Sequence, residues 1–493
     1  MKTISKVTRL LVFALALCML LSLFAACQNK GKEEAKSTKP QETEDQNLDE
    51  NGYWKDYVPE LNYGVTFQLL AAETQKAHFY AEEEATTNVE KAIFSRNSKV
   101  EERLNVEIEW NMMPCFAEDD KQTFAKTVET DSMSDRALDA VVTYNLVPYR
   151  LADKGLCANL ATTPYIDLTQ PWWPTEYLDT MLYKGQIFAL VDNASVGTLA
   201  NLSCIFFNND MIEDAGLESP YKLVEENNWT IATLRELSKG LYQDADNNGK
   251  KSDKDIYGVC TSTYARVTCW YYGAGIRFSQ VNEDGELELI AGDVEKIDAA
   301  VQEISGLFQT NDGLINEKAQ YVMFEEERVY FYLCVLELCS DMVRKNLDIN
   351  YGVAPNPKLN SAQEKYYTHL PNTHDAWFIP STVENLEMSS AFVELMASES
   401  YRQVNEVYFE TNLKIRYAPD ERLAQMYDLI RESITFDFIY IYQDVIGGDC
   451  NNEIRNCIKT PTSYNWSSSW GKINTKLETN FQKVLDAYEE KAQ

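Results

Sequence analysis

Apolar and polar positions alternate between two periods along this chain. Val65–Ala71 (VTFQLLA) is a short, nearly continuous apolar run after a glycine, which predicts a buried strand. From Asn88 to Leu104 the period changes. Val89, Ala92, Ile93, Val100 and Leu104 share one face at helical spacing. Val106–Trp110 alternates as a strand, Thr123–Val128 reads as helix, and Leu138–Tyr144 is a second buried strand with a helix-like stretch to Leu156. Further strands are predicted at Gln186–Val191, Cys204–Phe207, Ile256–Cys260 and Ala376–Ile379. Helices are predicted at Asn209–Ala215, Thr230–Tyr242, Leu386–Ser400, Ala418–Ile434 and Ile473–Ala492. Strands that alternate with helices point to an α/β architecture with largely parallel sheets.

The first 26 residues follow a different rule. Lys2, Lys6 and Arg9 precede the apolar stretch Leu10–Leu21, which is short for a membrane span and ends in Ala25-Ala26-Cys27. This is the layout of a signal peptide, and its ending resembles a bacterial lipobox, so Cys27 is expected to carry the lipid. Residues 27–55 are polar and charged and are expected to form a flexible tether. The body that follows is long enough for two domains.

Composition narrows the partners. The chain carries 77 acidic against 45 basic residues, a net charge of −32, and has no basic stripe. Such a surface repels nucleic acid and anionic headgroups and suits divalent cations. Tyrosine (29) and tryptophan (9) are abundant, as expected where flat ligands are stacked. Of the 11 cysteines, none forms a C-x-x-C pair; with Cys18 and Cys27 set aside nine remain, of which Cys450 and Cys457 could be bridged across a polar loop and the others read mostly as buried thiols. H-E-x-x-H, G-x-S-x-G and phosphate-loop signatures are absent, which favours a binder over an enzyme.

One motif stands out. Residues 244–255, DADNNGKKSDKD, set out a twelve-residue calcium loop with Gly249 at the sixth place. Asp255 replaces the usual glutamate at the twelfth place, Lys251 occupies the eighth, and no second loop accompanies it. A single structural Ca2+ is therefore expected, held by Asp244, Asp246, Asn248, the carbonyl of Lys250 and Asp255.

Several stretches resemble the extracellular solute-binding lipoproteins of carbohydrate ABC importers, the family 1, maltose-binding-protein-like group. They are NVEKAIFSRNSKVEERLNVEI (88–108), IDLTQPWWPTEYLDTMLYKGQIFALVDNAS (166–195), CIFFNNDMIEDAGLESPYKLVEENNWTIATL (204–234), NYGVAPNPKLNSAQEKYYT (350–368) and FVELMASESYRQVNEVYFE (392–410). Asn209 stands where the family has lysine. The resemblance implies a bilobal periplasmic-binding-protein-like fold of type II, with two α/β lobes, a hinge and a ligand cleft between them. It places lobe 1 at 56–203 and 366–418 and lobe 2 at 204–365 and 419–493. It implies a monomer on the outer face of the bacterial cytoplasmic membrane that captures a carbohydrate, expected to be an oligosaccharide, and delivers it to the permease subunits. It implies no catalysis.

Loops at the carboxyl ends of strands nominate Glu73, Asn145, Asp192 and Asn193 as ligand contacts. Aromatic faces that could stack on sugar rings nominate Trp172, Trp173, Trp270, Tyr271, Tyr272 and Trp377. Asn372 and Asp375, in the polar loop before Ala376, complete the set. Trp229, ahead of a helix cap, reads as packing. Two rival readings are a secreted carbohydrate-active enzyme and a calcium-dependent surface adhesion protein.

Overall fold

The computed structural model describes residues 47–49, 52–134, 136–310, 312–316, 321–418 and 421–492. The segment expected to be a signal peptide, Cys27 and most of the expected tether lie outside the described residues. Met1–Gly52 and Tyr53–Gln493 are separate units, and the second carries all that follows. No helix among the described residues is long and apolar enough to cross a membrane.

In chain order the strands are β1 (Val65–Ala72), β2 (Val106–Met113), β3 (Ala140–Tyr144), β4 (Ser203–Asn208), β5 (Tyr257–Thr261), β6 (Ser279–Val281) and β7 (Leu287–Leu289). They continue as β8 (Gly313–Ile315), β9 (Val329–Val335), β10 (Tyr351–Ala354), β11 (Thr368–His369), β12 (Asp375–Phe378) and β13 (Ile434–Thr435). Two main sheets result: a four-stranded one in the order β12-β3-β1-β2 and a five-stranded one in the order β10-β4-β9-β5-β8. β1 runs parallel to β2 and β3, and β12 closes that sheet antiparallel to β3, with Trp377 opposite Val142. In the second sheet β5 is parallel to β8 and β9, while β4 is antiparallel to β9 and β10. The fold is α/β, with a mixed sheet in each half.

Local chemistry explains the best-defined elements. The helix Asn88–Leu104 starts on a capping box, in which the Thr87 side chain accepts from Glu90 N while the Glu90 carboxylate accepts from Thr87 N. It stops at Asn105, which takes a left-handed conformation (φ 48°). Ala92, Ile93, Val100 and Leu104 are buried on its inner face, and so is Arg96. The Arg96 guanidinium is satisfied by Phe79 O, Ser400 Oγ and Asn97 Oδ1. Thr230 caps the helix Ile231–Ser238, which ends two residues before Gly240 (φ 78°), short of the expected Tyr242.

Two expectations fail. Gln186–Val191 is not a strand; it contributes only single bridges, Tyr183 to Gln186 and Leu190 to Trp377, and its apolar side chains pack instead into the core. Cys450 and Cys457 are not bridged. All nine cysteines of the described residues are buried and none is in a disulfide. These two lie on one helix, Asp449–Lys459, not across a loop. Seven helical residues separate their Cα atoms by about 10 Å, beyond the reach of a disulfide.

Candidate functional site

Residues from both sheets enclose a cavity of about 410 Å³. One wall comes from the first sheet. β2 is followed by Phe116 and by Lys121, on the helix Glu118–Met133, while Tyr144 ends β3 and Leu146 follows it. The facing wall begins where β5 ends, with Thr263, Ala265, Arg266 and Thr268. Tyr440, Gln443, Asn451 and Arg455 extend it from later helices, and Pro371–Thr373 lie between the two walls. The carboxyl ends of parallel strands thus meet from two sides, as expected for open α/β sheets.

The lining combines aromatic faces with hydrogen-bonding groups. Phe116 is 63% exposed, with its ring 6.4 Å from that of Tyr144. Tyr440 is almost buried; its ring meets those of His369 and Tyr272 edge to face, and its hydroxyl accepts from Asn372 N at 3.2 Å. Asn372 links the walls. Asn145 Nδ2 donates to its Oδ1 at 3.3 Å, and its own Nδ2 donates to Tyr440 O at 3.0 Å. Burial works against the charge on Arg266, but the neighbouring Cys334, Tyr321 and Cys269, and after them Glu337, outweigh it and hold the guanidinium above its ordinary range. Its Nη1 is buried without a hydrogen-bond partner. Arg455 is braced along its own helix by Asn451 O.

Of the twelve ligand contacts expected from sequence, only Asn372 lines this cavity. Asn145 is fully buried behind it. Trp172 and Trp173 are both buried, and both indole N–H groups donate to the Glu394 carboxylate, at 3.1 and 3.2 Å. A shared buried acceptor explains how adjacent tryptophans both turn inward. Asp192 is buried and caps a turn by accepting from Ala194 N and Ser195 N. Asn193 donates to Pro171 O.

Trp270, Tyr271 and Tyr272 belong to a wholly buried helix, Val267–Gly273, rather than to a rim. Trp270 donates to Thr261 Oγ1, Tyr271 donates to Asn451 Oδ1 at 2.6 Å, and Tyr272 stacks on His369. These aromatics back the wall without forming its surface. Asp375 is buried against His78 Nδ1 at 3.1 Å, and Trp377 packs on Phe392. Glu73 opens onto a different hollow, beside Tyr80. Trp229 is core, donating to Pro355 O.

Sequence reasoning missed Phe116, Lys121, Tyr144, Arg266, Tyr440, Asn451 and Arg455. The strand-end rule that nominated Asn145 reaches Phe116 and Arg266 as well when it is applied to the strands at Val106 and Tyr257. Nothing local marks Tyr440, Asn451 or Arg455, which arrive from more than 160 residues beyond β5.

The calcium-like loop lies in the five-stranded half, closed at its base by paired hydrogen bonds between Gln243 and Ile256. Oxygen atoms of Asp244, Asp246 and Asp255 lie within 4.8 Å of one another. Gly249 turns the chain at φ 71°, and its N–H and that of Asn248 donate to Asp244. Asp255 is fully buried and accepts from Ala245 N, Ser252 N and the Tyr242 hydroxyl. Lys251 turns its ammonium to Thr310 O, so it does not occupy the loop centre. The hard oxygen donors brought together here fit calcium.

No family model matches the chain, and no curated protein does. Solved structures do match. The sugar-binding protein MalE from Xanthomonas citri superposes with a TM-score of 0.55 at 12% identity, covering 86% of this chain and 99% of that one. The GacH receptor of Streptomyces glaucescens, solved unliganded and with acarbose, gives 0.53 at 13%, covering 84% and 99%. A Listeria monocytogenes ABC substrate-binding protein in complex with cycloalternan gives 0.53 at 12%, covering 85% and 99%. The chain therefore has the fold of the bilobal sugar-binding proteins.

Proposed function

We propose that this chain is the solute-binding protein of an ABC importer and that it captures an oligosaccharide in the cavity between its two sheets. The observation that carries this reading is the cavity itself. Both halves contribute walls, the aromatic rings of Phe116, Tyr144 and Tyr440 offer apolar faces, and Thr268, Asn372, Gln443 and Asn451 offer hydrogen bonds. The likeness in fold to proteins solved with oligosaccharides supports it. A ligand that touches both walls favours the closed arrangement by its differential affinity, and the closed form would be what the permease receives. The lobes are taken as 56–203 with 366–418 and 204–365 with 419–493. On this reading the protein acts as a monomer on the extracellular face of the bacterial cytoplasmic membrane, tethered by a lipid on Cys27.

Binding without turnover is favoured by the lining. A glycosidase needs two carboxyl groups across the scissile bond. None of the residues lining the cavity is acidic. The test is a thermal-shift screen of the purified chain against mono- and oligosaccharides, followed by product analysis. A sugar that raises the melting temperature and is recovered intact supports the reading. Peptides that shift it while no sugar does, or cleavage of the sugar, overturn it.

We further propose that the 244–255 loop holds one Ca2+ as a structural brace, through Asp244, Asp246, Asn248, the Lys250 carbonyl and Asp255. The ion would neutralise the clustered carboxylates and fix the turn between the helix Ile231–Ser238 and β5. A sensor role finds no support, because the loop is single among the described residues.

A further inference from the structure

The cavity has the opposite charge to the molecule around it. Acidic residues outnumber basic ones by 77 to 45 across the chain. Among the side chains that line the cavity the bias reverses: Lys121, Arg266 and Arg455 are basic and no carboxylate is present. Lys121 comes from the first-sheet wall and the two arginines from the facing one. Neither Lys121 nor Arg266 has a carboxylate at ion-pair distance among the described residues. Glu337 is the acidic group that acts on Arg266, and its carboxylate is already engaged by the Tyr321 hydroxyl at 2.6 Å.

Arg266 is the decisive residue. Its Nη1 is buried without a hydrogen-bond partner, although the guanidinium stays charged. A buried, charged donor with nothing to donate to is costly unless a ligand completes it. A guanidinium presents two parallel N–H groups that match the two oxygens of a carboxylate or sulfate, and such charge-assisted pairs are stronger than those to neutral hydroxyls. A neutral sugar could meet this group only with a hydroxyl oxygen, a weaker partner for a desolvated guanidinium than an anionic oxygen.

We infer that the ligand is an anionic oligosaccharide, with a ring-borne carboxylate or sulfate seated between Arg266 and Lys121 and a sugar ring against Phe116. This rests on the carbohydrate-binding reading of the same cavity and names the charge of its substrate. The net negative charge of the chain then acts against non-specific capture of polyanions, so that only a short acidic sugar able to enter reaches the cations.

The experiment is isothermal titration of the full chain with trigalacturonate, a sulfated chondroitin disaccharide and maltotriose, each at two salt concentrations. The acidic sugars are expected to bind at least tenfold more tightly than maltotriose, with affinity falling as salt rises. Their order tells carboxylate from sulfate. R266Q is expected to weaken acidic-sugar binding by roughly 30-fold or more, as for removal of one partner of a desolvated charge pair. K121Q, on the facing wall, provides a second variant should R266Q melt early, and K99Q on a distant exposed helix face is the control. Maltotriose binding as tightly as the acidic sugars, or acidic-sugar binding indifferent to both substitutions and to salt, overturns the inference and leaves the carbohydrate reading standing. Binding of no sugar at all overturns both.

Discussion

Substituting Glu394 with glutamine isolates one buried carboxyl group and predicts a pH signature. Glu394 is 1% exposed and accepts three N–H bonds, from Trp172 Nε1, Trp173 Nε1 and Asp167 N. Burial raises its pKa from 4.5 to about 8 against the pull of those hydrogen bonds. The sign follows from proton counts. Between pH 4.5 and 8 the folded state holds a proton that the unfolded state has lost, so stability falls as pH rises through that window. At about 1.4 kcal/mol per pH unit, the full window is worth at most roughly 4–5 kcal/mol. Glutamine cannot titrate, and whichever way its amide turns, its NH2 faces an N–H donor. Near pH 5, E394Q is expected to be less stable than the parent by roughly 1–3 kcal/mol, the usual cost of leaving a buried donor unsatisfied. The gap should close with rising pH and reverse by pH 9. Urea unfolding of both proteins at pH 5, 6, 7, 8 and 9 measures it. Parallel stability curves across that range would refute the account of a carboxyl held protonated by its surroundings.

Three further outcomes are expected. D56A removes a carboxylate that is 3% exposed and held by Arg103 and Arg402, each at 2.7 Å, so urea unfolding at pH 7 should show a loss of roughly 3–5 kcal/mol. Burial opposes ionisation of Asp56, but the two arginines outweigh it and hold its pKa below the usual value. The stabilisation is therefore present above the usual carboxylate pKa and lost as pH falls through the lowered one, so parent and D56A should converge in acid. F116A should leave stability within about 0.5 kcal/mol of the parent, because the ring is exposed, while calorimetry shows sugar affinity weakened roughly three- to tenfold. Calcium at a hundredfold its dissociation constant should stabilise the parent by about 2.7 kcal/mol and leave D246A unchanged by the same melting assay.

The elements that were legible from sequence are those whose signal is local. Asn88–Leu104 carries its own cap, face and stop, and it forms with those bounds. Gln186–Val191 is as apolar as a strand, yet it pairs at single residues, because pairing depends on which edge is free and the run does not encode that. The aromatic candidates failed for a related reason. Trp172, Trp173 and Trp270 have polar N–H groups, but Glu394 and Thr261 Oγ1 satisfy them internally. Those acceptors lie far along the chain or on another element, so sequence shows a tryptophan and not its partner. The cavity residues Tyr440 and Arg455 are invisible for the same reason, whereas the 244–255 loop was readable because all of its donors lie within twelve residues.

Position also explains how so few side chains could couple ligand to closure. Asn372 bonds to Asn145 behind the first-sheet wall and to Tyr440 on the other, so this amide joins the two walls beside the cavity, alongside links such as Arg150 to Asp444. A ligand resting on Phe116 and Tyr144 alone would leave that junction unbiased. Driving a two-state equilibrium from 1:99 to 99:1 takes a differential affinity of roughly 10,000-fold, or about 5.5 kcal/mol. Neutral hydrogen bonds contribute about 1 kcal/mol each and charge-assisted ones about 1.5–3. Thr268, Gln443 and Asn451 together would fall short of that figure; charge-assisted bonds from Arg266 and Arg455 bring the facing wall to it, and of the two only Arg266 has a buried guanidinium nitrogen with no hydrogen-bond partner. On this reasoning the arginine does more than select an acidic sugar. R266Q should lower the extent of ligand-induced compaction, seen as a smaller drop in radius of gyration by X-ray scattering at saturating sugar, and not only the affinity. Full compaction of saturated R266Q would mean that the remaining hydrogen bonds suffice and that closure does not depend on the charge.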